Sequence, residues 1–289
     1  MKQPANKKPL SWVRLFLLVP VVGWVLMFIV LPHLQLLWLS FHDVLNPDQG
    51  MYFGNYSDFF AERIYWAVFL RTALYSIATT LLTLIIVYPV AYYLAKIIRG
   101  TRRLFLILFL LLPFWVSELI RTYSWMAILR EKGVLNWLLL KTGVLSHPVE
   151  FLYNDYAILL GLTYGGLLFM LLPVYSSLVK LDDNLIEAAY DLGASKWNVF
   201  WKVILPNTLP GVTSGSIMVF MLTLGNYSIP TLMGGKNSMY FTEIIYNYFM
   251  VAWDWNKGSA FGFLLLLLSS FLVWLGLKLT KQKLSEVID

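Results

Sequence analysis

Glu187-Ala188-Ala189-Tyr190-Asp191-Leu192-Gly193, followed ten residues after its glycine by Val203-Ile204-Leu205-Pro206, is a polar, amphipathic insert between two long apolar stretches. Asp182-Asp183-Asn184 supplies N-cap candidates, and acids near a helix start favour its dipole. Leu185, Ala188, Ala189 and Leu192 recur at i, i+3, i+4 and i+7 and form one apolar stripe. Glu187 and Asp191 fall on another face, where they can meet a partner's Arg or Lys. Gly193 can take a left-handed conformation that ends the helix and turns the chain. Ser195 then caps a second helix over Lys196 to Val203, and Pro206 fits the start of the apolar stretch that follows. The segment, about 181–206, is a candidate docking surface at a membrane's edge, the alternative being an ordinary amphipathic linker lying on the membrane surface.

What flanks it fixes the fold class. The chain has 289 residues, 59% hydrophobic and 13% charged, whereas soluble domains carry about 25% charged residues. A spanning helix needs about 20 mostly apolar residues, and six stretches qualify: Leu15–Leu39, Thr72–Ala95, one starting at Leu104, Tyr156–Val179, Asn207 to about Leu232, and Gly258–Leu277. The third contains Pro113, which removes a backbone hydrogen bond, so a broken helix is expected there, with Trp115 to Leu129 as its second piece. Gly165-Gly166 and Pro173 interrupt the fourth. The prediction is an all-α membrane protein of about six transmembrane helices, a single domain over residues 1–289.

Charge sets the orientation. Fourteen of the twenty-two Lys and Arg residues fall at the N-terminus (Lys2, Lys7, Lys8, Arg14), at 96–103, at 180–202 and at the C-terminus (Lys278, Lys281, Lys283). The excess stays cytoplasmic, so both termini and the docking segment are expected to face the cytoplasm. Basic residues in short clusters beside apolar runs are topology signals; nucleic-acid binding needs a continuous basic face. There is no cysteine, the three histidines (His33, His42, His147) are scattered, and no phosphate-binding glycine loop occurs. No metal, cofactor or intrinsic enzyme activity is expected.

The spacing E-A-A-x3-G-x9-I-x-L-P, with Val203 in place of Ile, together with Pro113-Phe114-Trp115, Leu119-Ile120-Arg121-Thr122-Tyr123, Leu172-Pro173-Val174-Tyr175 and Ile229-Pro230-Thr231-Leu232-Met233-Gly234-Gly235, resembles the type I permease subunits of bacterial ATP-binding-cassette importers. Within them it is closest to the spermidine/putrescine permeases, and the likeness covers nearly the whole chain. The resemblance implies a bacterial inner-membrane protein paired with a second, distinct permease subunit. It implies a dimer of cytoplasmic ATPases docked through Glu187, Ala188, Ala189, Asp191 and Gly193, and a periplasmic or lipid-anchored substrate-binding protein. It also implies a polyamine cargo carried by alternating access; permeases of the same broad group carry opines, other amines and phosphonates. From the residues alone, an ATPase-independent secondary transporter and a membrane scaffold stay open.

A polycation crossing lipid needs carboxylates and aromatic faces in place of water. Glu118, just past the Pro113 break, is the acid nearest membrane depth, with Trp115, Tyr123 and Trp125 beside it. Glu118 and Arg121 stand at i and i+3, where they can instead pair with each other. Glu243 and Asp254 flank an aromatic stretch at the periplasmic mouth, and Tyr227 in the fifth span is a further candidate.

Overall fold

A backbone in hydrocarbon has no partner for its N–H and C=O groups except itself, so apolar runs of this length fold as helices. The computed structural model describes residues 12–43, 50–280 and 282. The basic positions Lys2, Lys7, Lys8, Lys281 and Lys283 of the topology argument lie outside them. The helices are α1 (Trp12–Val25), α2 (Leu31–Ser40), α3 (Gly54–Ala61), α4 (Arg63–Tyr92), α5 (Thr101–Leu111), α6 (Glu118–Leu129), α7 (Val134–Lys141), α8 (Asp155–Lys180), α9 (Asp183–Asp191), α10 (Lys196–Val199), α11 (Leu205–Leu224), α12 (Ser228–Met233), α13 (Phe241–Met250) and α14 (Trp255–Thr280). Three π-helical turns join them, Leu26–Val30, Tyr93–Ile97 and Phe200–Ile204, and a 3-10 turn follows α5 at Leu112–Trp115.

Five helical stretches among the described residues are long and apolar enough to cross a membrane: Leu18–Ser40, Arg63–Ile97, Asp155–Lys180, Lys196–Leu224 and Trp255–Lys278. A sixth arises if Thr101–Trp115 and Glu118–Lys141, bent by 90° at their break, count as one span. The bend sits where Pro113 predicts it. The chain turns at Val116, which is extended, and Ser117 restarts the helix by accepting the Ile120 N–H at 3.4 Å.

Two spans differ from expectation. The second begins at Arg63 rather than Thr72 and runs 35 residues, about 50 Å at 1.5 Å per residue. Its first turns carry Arg63 and Arg71, and the hydropathy reading, which starts its run after Arg71, missed them for that reason. The fifth begins earlier, at Lys196, and ends at Leu224 rather than about Leu232, because the chain breaks at Gly225-Asn226 before α12.

The chain divides into two compact units. One takes in the chain to Ala61 with Ile245–Leu264. Within it Asn55 donates to the Ser40 and His42 carbonyls at 3.1 and 2.8 Å, Asn256 donates to Leu39 O at 3.1 Å, and Lys257 pairs with Asp58 at 2.7 Å. His33 and His42 each bond a carbonyl one turn back in their own stretch.

The other unit holds Glu62–Ile244 and the chain from Leu265, and its centre is α4, α8 and α11. Ala91, Met170, Val174, Leu178, Val199 and Val219 are fully buried there. The glycines and proline of α8 do not interrupt it; the helix is continuous from Asp155 to Lys180. Small residues instead bring α8 and α11 together. A Cβ on Gly211 would stand 2.4 Å from the Pro173 carbonyl oxygen, and one on Gly215 would stand 2.8 Å from Met170 Sδ. In lipid, where apolar side chains gain little from leaving their solvent, such close backbone approach holds helices together. Ser76, Thr80 and Thr83 on α4 return their hydroxyls to the carbonyl four residues back, at 2.7–2.9 Å, so they pack without an unmet donor.

Candidate functional site

The docking segment folds as its residues dictate. Asp182 accepts the Asn184 N–H at 3.0 Å and opens α9. Gly193 has φ +79°, its N–H reaches Tyr190 O at 2.8 Å, and the Ala194 N–H reaches Ala189 O at 3.0 Å. That pair of bonds is the Schellman closure of a helix, and it needs a residue free of Cβ at its turn. Ser195 then caps α10 through the Asn198 N–H at 3.3 Å. The Lys96 ammonium holds the start of α9 by donating to Leu181 O and to Asp183, each at 2.6 Å. This bond to Lys96 pulls the Asp183 carboxyl below its ordinary range.

The apolar stripe of α9 splits between two surfaces. Ala189 turns inward with Ile186, and both pack on the core of α4, α8 and α11. Leu185, Ala188 and Leu192 stay exposed, Leu192 at 89%. At about 100° per residue the apolar arc is wide enough to face two ways, and Ile186, absent from the predicted stripe, supplies the inner edge. Glu187 and Asp191 border the outer edge and are exposed. The segment offers a small apolar patch beside two carboxylates, exposed among the described residues.

The second locus lies where two broken helices meet. Asn226, at the break between α11 and α12, donates from Nδ2 to Glu118 Oε1 at 2.7 Å, across the break between α5 and α6. Its Oδ1 accepts the Ile229 N–H at 2.9 Å and starts α12, while its carbonyl accepts the Thr242 hydroxyl at 2.9 Å. One asparagine thus joins three chain segments. Thr231 on α12 shares its hydroxyl between Tyr227 O at 2.8 Å and Glu243 Oε1 at 3.2 Å. Burial pushes the Glu243 carboxyl above the ordinary range, partly offset by the Thr231 hydroxyl.

Glu118 and Arg121 do not pair. Arg121 lies over the Phe114 ring at 4.5 Å and the Tyr164 ring at 5.7 Å, while Trp125 meets Tyr164 edge-on. Glu118 is exposed, its carboxylate bonded to a neutral amide and to no cation among the described residues. Trp115 and Tyr123 are exposed at 85% and 55%. Tyr227 is half-buried at the N-cap of α12. Asp254 lies in the unit that includes Ile245–Leu264, where its Oδ1 accepts the Lys257 N–H at 2.9 Å at the start of α14. The structure therefore brings Glu118, Tyr227 and Glu243 together around 226–231 and gives Asp254 a helix-capping bond. Asn226 and Thr231 escaped the sequence reading. The signal was Gly225-Asn226, a turn dipeptide inside an apolar run.

Beside this locus stands a second polar knot. Asp155, at the start of α8, receives Arg71, the Tyr75 hydroxyl at 2.5 Å and the Ser238 hydroxyl at 2.6 Å. Arg71 also donates to Asn237 O. These bonds fasten the first turns of α4 to α8 and to the segment before α13, whose Tyr240 is fully buried.

The family model for the binding-protein-dependent transport system inner membrane component matches residues 64–282. The chain is 34% identical over 281 residues to the spermidine/putrescine transport system permease protein PotB of Salmonella typhimurium (strain SL1344), covering 94% of this chain and 96% of that one. It is 36% identical over 250 residues to PotB of Escherichia coli (strain K12), covering 84% and 89%. The crystal structure of a bacterial ABC transporter involved in the import of the acidic polysaccharide alginate has a chain of the same fold, with TM-score 0.75 at 16% identity over 93% of this chain and 95% of that one.

Proposed function

The chain belongs to the binding-protein-dependent transport system inner membrane components, a multi-pass permease family of ABC importers, and from that premise we propose that it admits polyamines such as spermidine and putrescine. The observation that carries the cargo is the pair of acids, Glu118 and Glu243, held by Asn226 and Thr231 of a single helix break. A linear polyamine carries cationic nitrogens along a flexible chain, and two carboxylates, Glu118 exposed and Glu243 half-buried, replace the water those nitrogens lose. Irregular backbone where two spans break lets polar groups stand at membrane depth without unmet hydrogen bonds. The names of the relatives with which this chain shares a third of its residues agree with that cargo.

Residues 1–289 act as one membrane domain with both termini cytoplasmic. A cytoplasmic ATPase dimer docks on Leu185, Ala188 and Leu192, with Glu187 and Asp191 meeting its basic residues, and Gly193 fixes the angle at which α9 leaves the membrane. A second, distinct permease completes the pathway, and a periplasmic or lipid-anchored binding protein delivers the substrate. ATP closes the ATPase dimer, α9 moves as a lever, and the Glu118–Asn226 junction opens to alternate sides.

The test is ATP hydrolysis by the reconstituted complex with its binding protein loaded in turn with spermidine, putrescine, an amino acid or a phosphonate. Stimulation by the polyamines alone is expected. Stimulation by the amino acid or phosphonate alone would replace the cargo assignment and leave the permease assignment standing.

A further inference from the structure

A groove of about 750 Å³ runs between the end of α4 and the start of α11, and the base of α9 reaches its rim. Ile85 and Tyr93 line it from the end of α4 and its π turn, Trp201 and Leu205 from the start of α11 and the turn before it, and Tyr190 and Lys196 line it as well. Two of the three π-helical turns, Tyr93–Ile97 and Phe200–Ile204, line it. Such turns recur at functional sites because the extra residue widens the helix and opens its surface. Ile85, Tyr93 and Trp201 are exposed at 69%, 51% and 48% although they lie within membrane-crossing stretches.

The basic residues around this end of the molecule divide into two sets. Lys96 is bound to Leu181 O and Asp183, and Arg103 donates to Ile98 O and Ala95 O. Lys196 and Lys202 are exposed and make no ion pair or hydrogen bond among the described residues. An apolar slot that carries the unpaired Lys196 ammonium beside indole and phenol rings is complementary to an acyl chain attached to a phosphate. A protein helix seated there would have to bring an acid to Lys196 and leave the Tyr93 and Tyr190 hydroxyls to find partners.

We propose that this groove binds an anionic phospholipid, its acyl chain against Ile85 and Trp201 and its phosphate on Lys196. The assignment of the groove to the inner leaflet rests on the orientation proposed above. The cytoplasmic leaflet carries the negative surface potential that such a site draws on. A lipid seated here braces both π turns and touches Tyr190 on the helix that takes the ATPase, so it stiffens the link between the nucleotide cycle and the spans.

The assembled importer is purified from nanodiscs of phosphatidylcholine alone or mixed with phosphatidylglycerol, and the lipid it retains is identified by native mass spectrometry. Retention of phosphatidylglycerol over phosphatidylcholine is expected, falling about fivefold in Lys196→Gln, the loss of one basic contact near a membrane surface. Ile85→Trp, which fills the slot, lowers retention of both lipids. A photo-crosslinker at position 85 should label lipid, and excess inorganic phosphate should not displace it, which separates a lipid site from a simple anion site. Equal retention by wild type and Lys196→Gln, displacement by phosphate, or crosslinking to a polypeptide would each overturn the proposal. None of these readouts uses uptake, so they stand or fall apart from the cargo. Protease protection of the 181–206 segment checks the orientation separately.

Discussion

The two ends of α11 are held in opposite ways. At its start, the docking segment is shaped by backbone bonds and local caps: Asp182 on Asn184, Gly193 on Tyr190, Ser195 on Asn198. At its end, the acidic junction is shaped by side chains from distant segments that converge on Asn226. The proposed lever must transmit force whatever touches it, and main-chain hydrogen bonds give that stiffness. The proposed binding site must release what it holds, and a few charge-assisted side-chain bonds can be remade. The first region should thus fail when the backbone is altered, and the second when a single polar atom is removed.

The largest effect is expected at the turn. Proline at Gly193 cannot reach φ +79° and loses the N–H given to Tyr190, a cost of about 3 kcal/mol or more. Gly193→Pro should lower radiolabelled polyamine uptake by about a hundredfold or more, with the ATPase lost on affinity purification. Normal uptake would remove α9 from the transport cycle. Next comes Asn226→Leu, which strips Glu118 and the Ile229 N–H of their partner. Hydrogen bonds to charged groups contribute about 1.5–3 kcal/mol, so uptake should fall roughly tenfold to a hundredfold while the ATPase still copurifies. If both uptake and copurification fail, the junction is structural and the contrast between the two ends collapses.

Glu118→Gln keeps the shape and an acceptor for Asn226 but removes the charge. The half-saturating polyamine concentration should rise by about tenfold with the maximal rate nearly kept, as charge-assisted bonds are about twice as strong as neutral ones. The pH dependence should be smaller. Because burial raises the Glu243 carboxyl, it takes up its proton at a higher pH than an ordinary carboxylate. Its charge is present above that raised value and lost as the pH falls through it. Polyamine affinity should therefore decline on acidification before a free glutamate would titrate, and Glu243→Gln should flatten that part of the profile. An unchanged profile in the variant would take Glu243 out of the pathway. Smallest of all is Asp183→Asn. Its side chain is 59% exposed, Lys96 retains the Leu181 carbonyl, and exposed ion pairs contribute about 0–1 kcal/mol. Uptake should stay within about fivefold of wild type; a larger loss would mean that charge rather than backbone holds the lever.

The same contrast governs what can be read from residues in order. Asp182, Gly193 and Ser195 act on neighbours within a few positions, so the helix, turn and second cap of the docking segment were visible from spacing. Pro113 announced the break in the third span for the same reason. Asn226 works through Glu118, 108 positions away, and no periodicity marks such a partner. The i, i+3 spacing of Glu118 and Arg121 even suggested a pairing that Phe114 and Tyr164 pre-empt by taking the guanidinium onto their rings. On α9 the apolar arc was legible but its division was not, because only packing decides that Ile186 and Ala189 lie inward while Leu185 and Leu192 do not.

Each π-helical turn holds one residue more than the surrounding α-helical phase requires. The turn at Phe200–Ile204 separates α10 from α11, so a helical wheel drawn straight through it assigns wrong faces beyond it. A chain lacking one position between 200 and 204 can close the turn into regular helix and keep α11 in register with α8. The docking segment would then swing by about 100° around the helix axis. Deletion here, unlike deletion within the Gly211–Gly215 contact, alters where the lever points and leaves the packed spans intact.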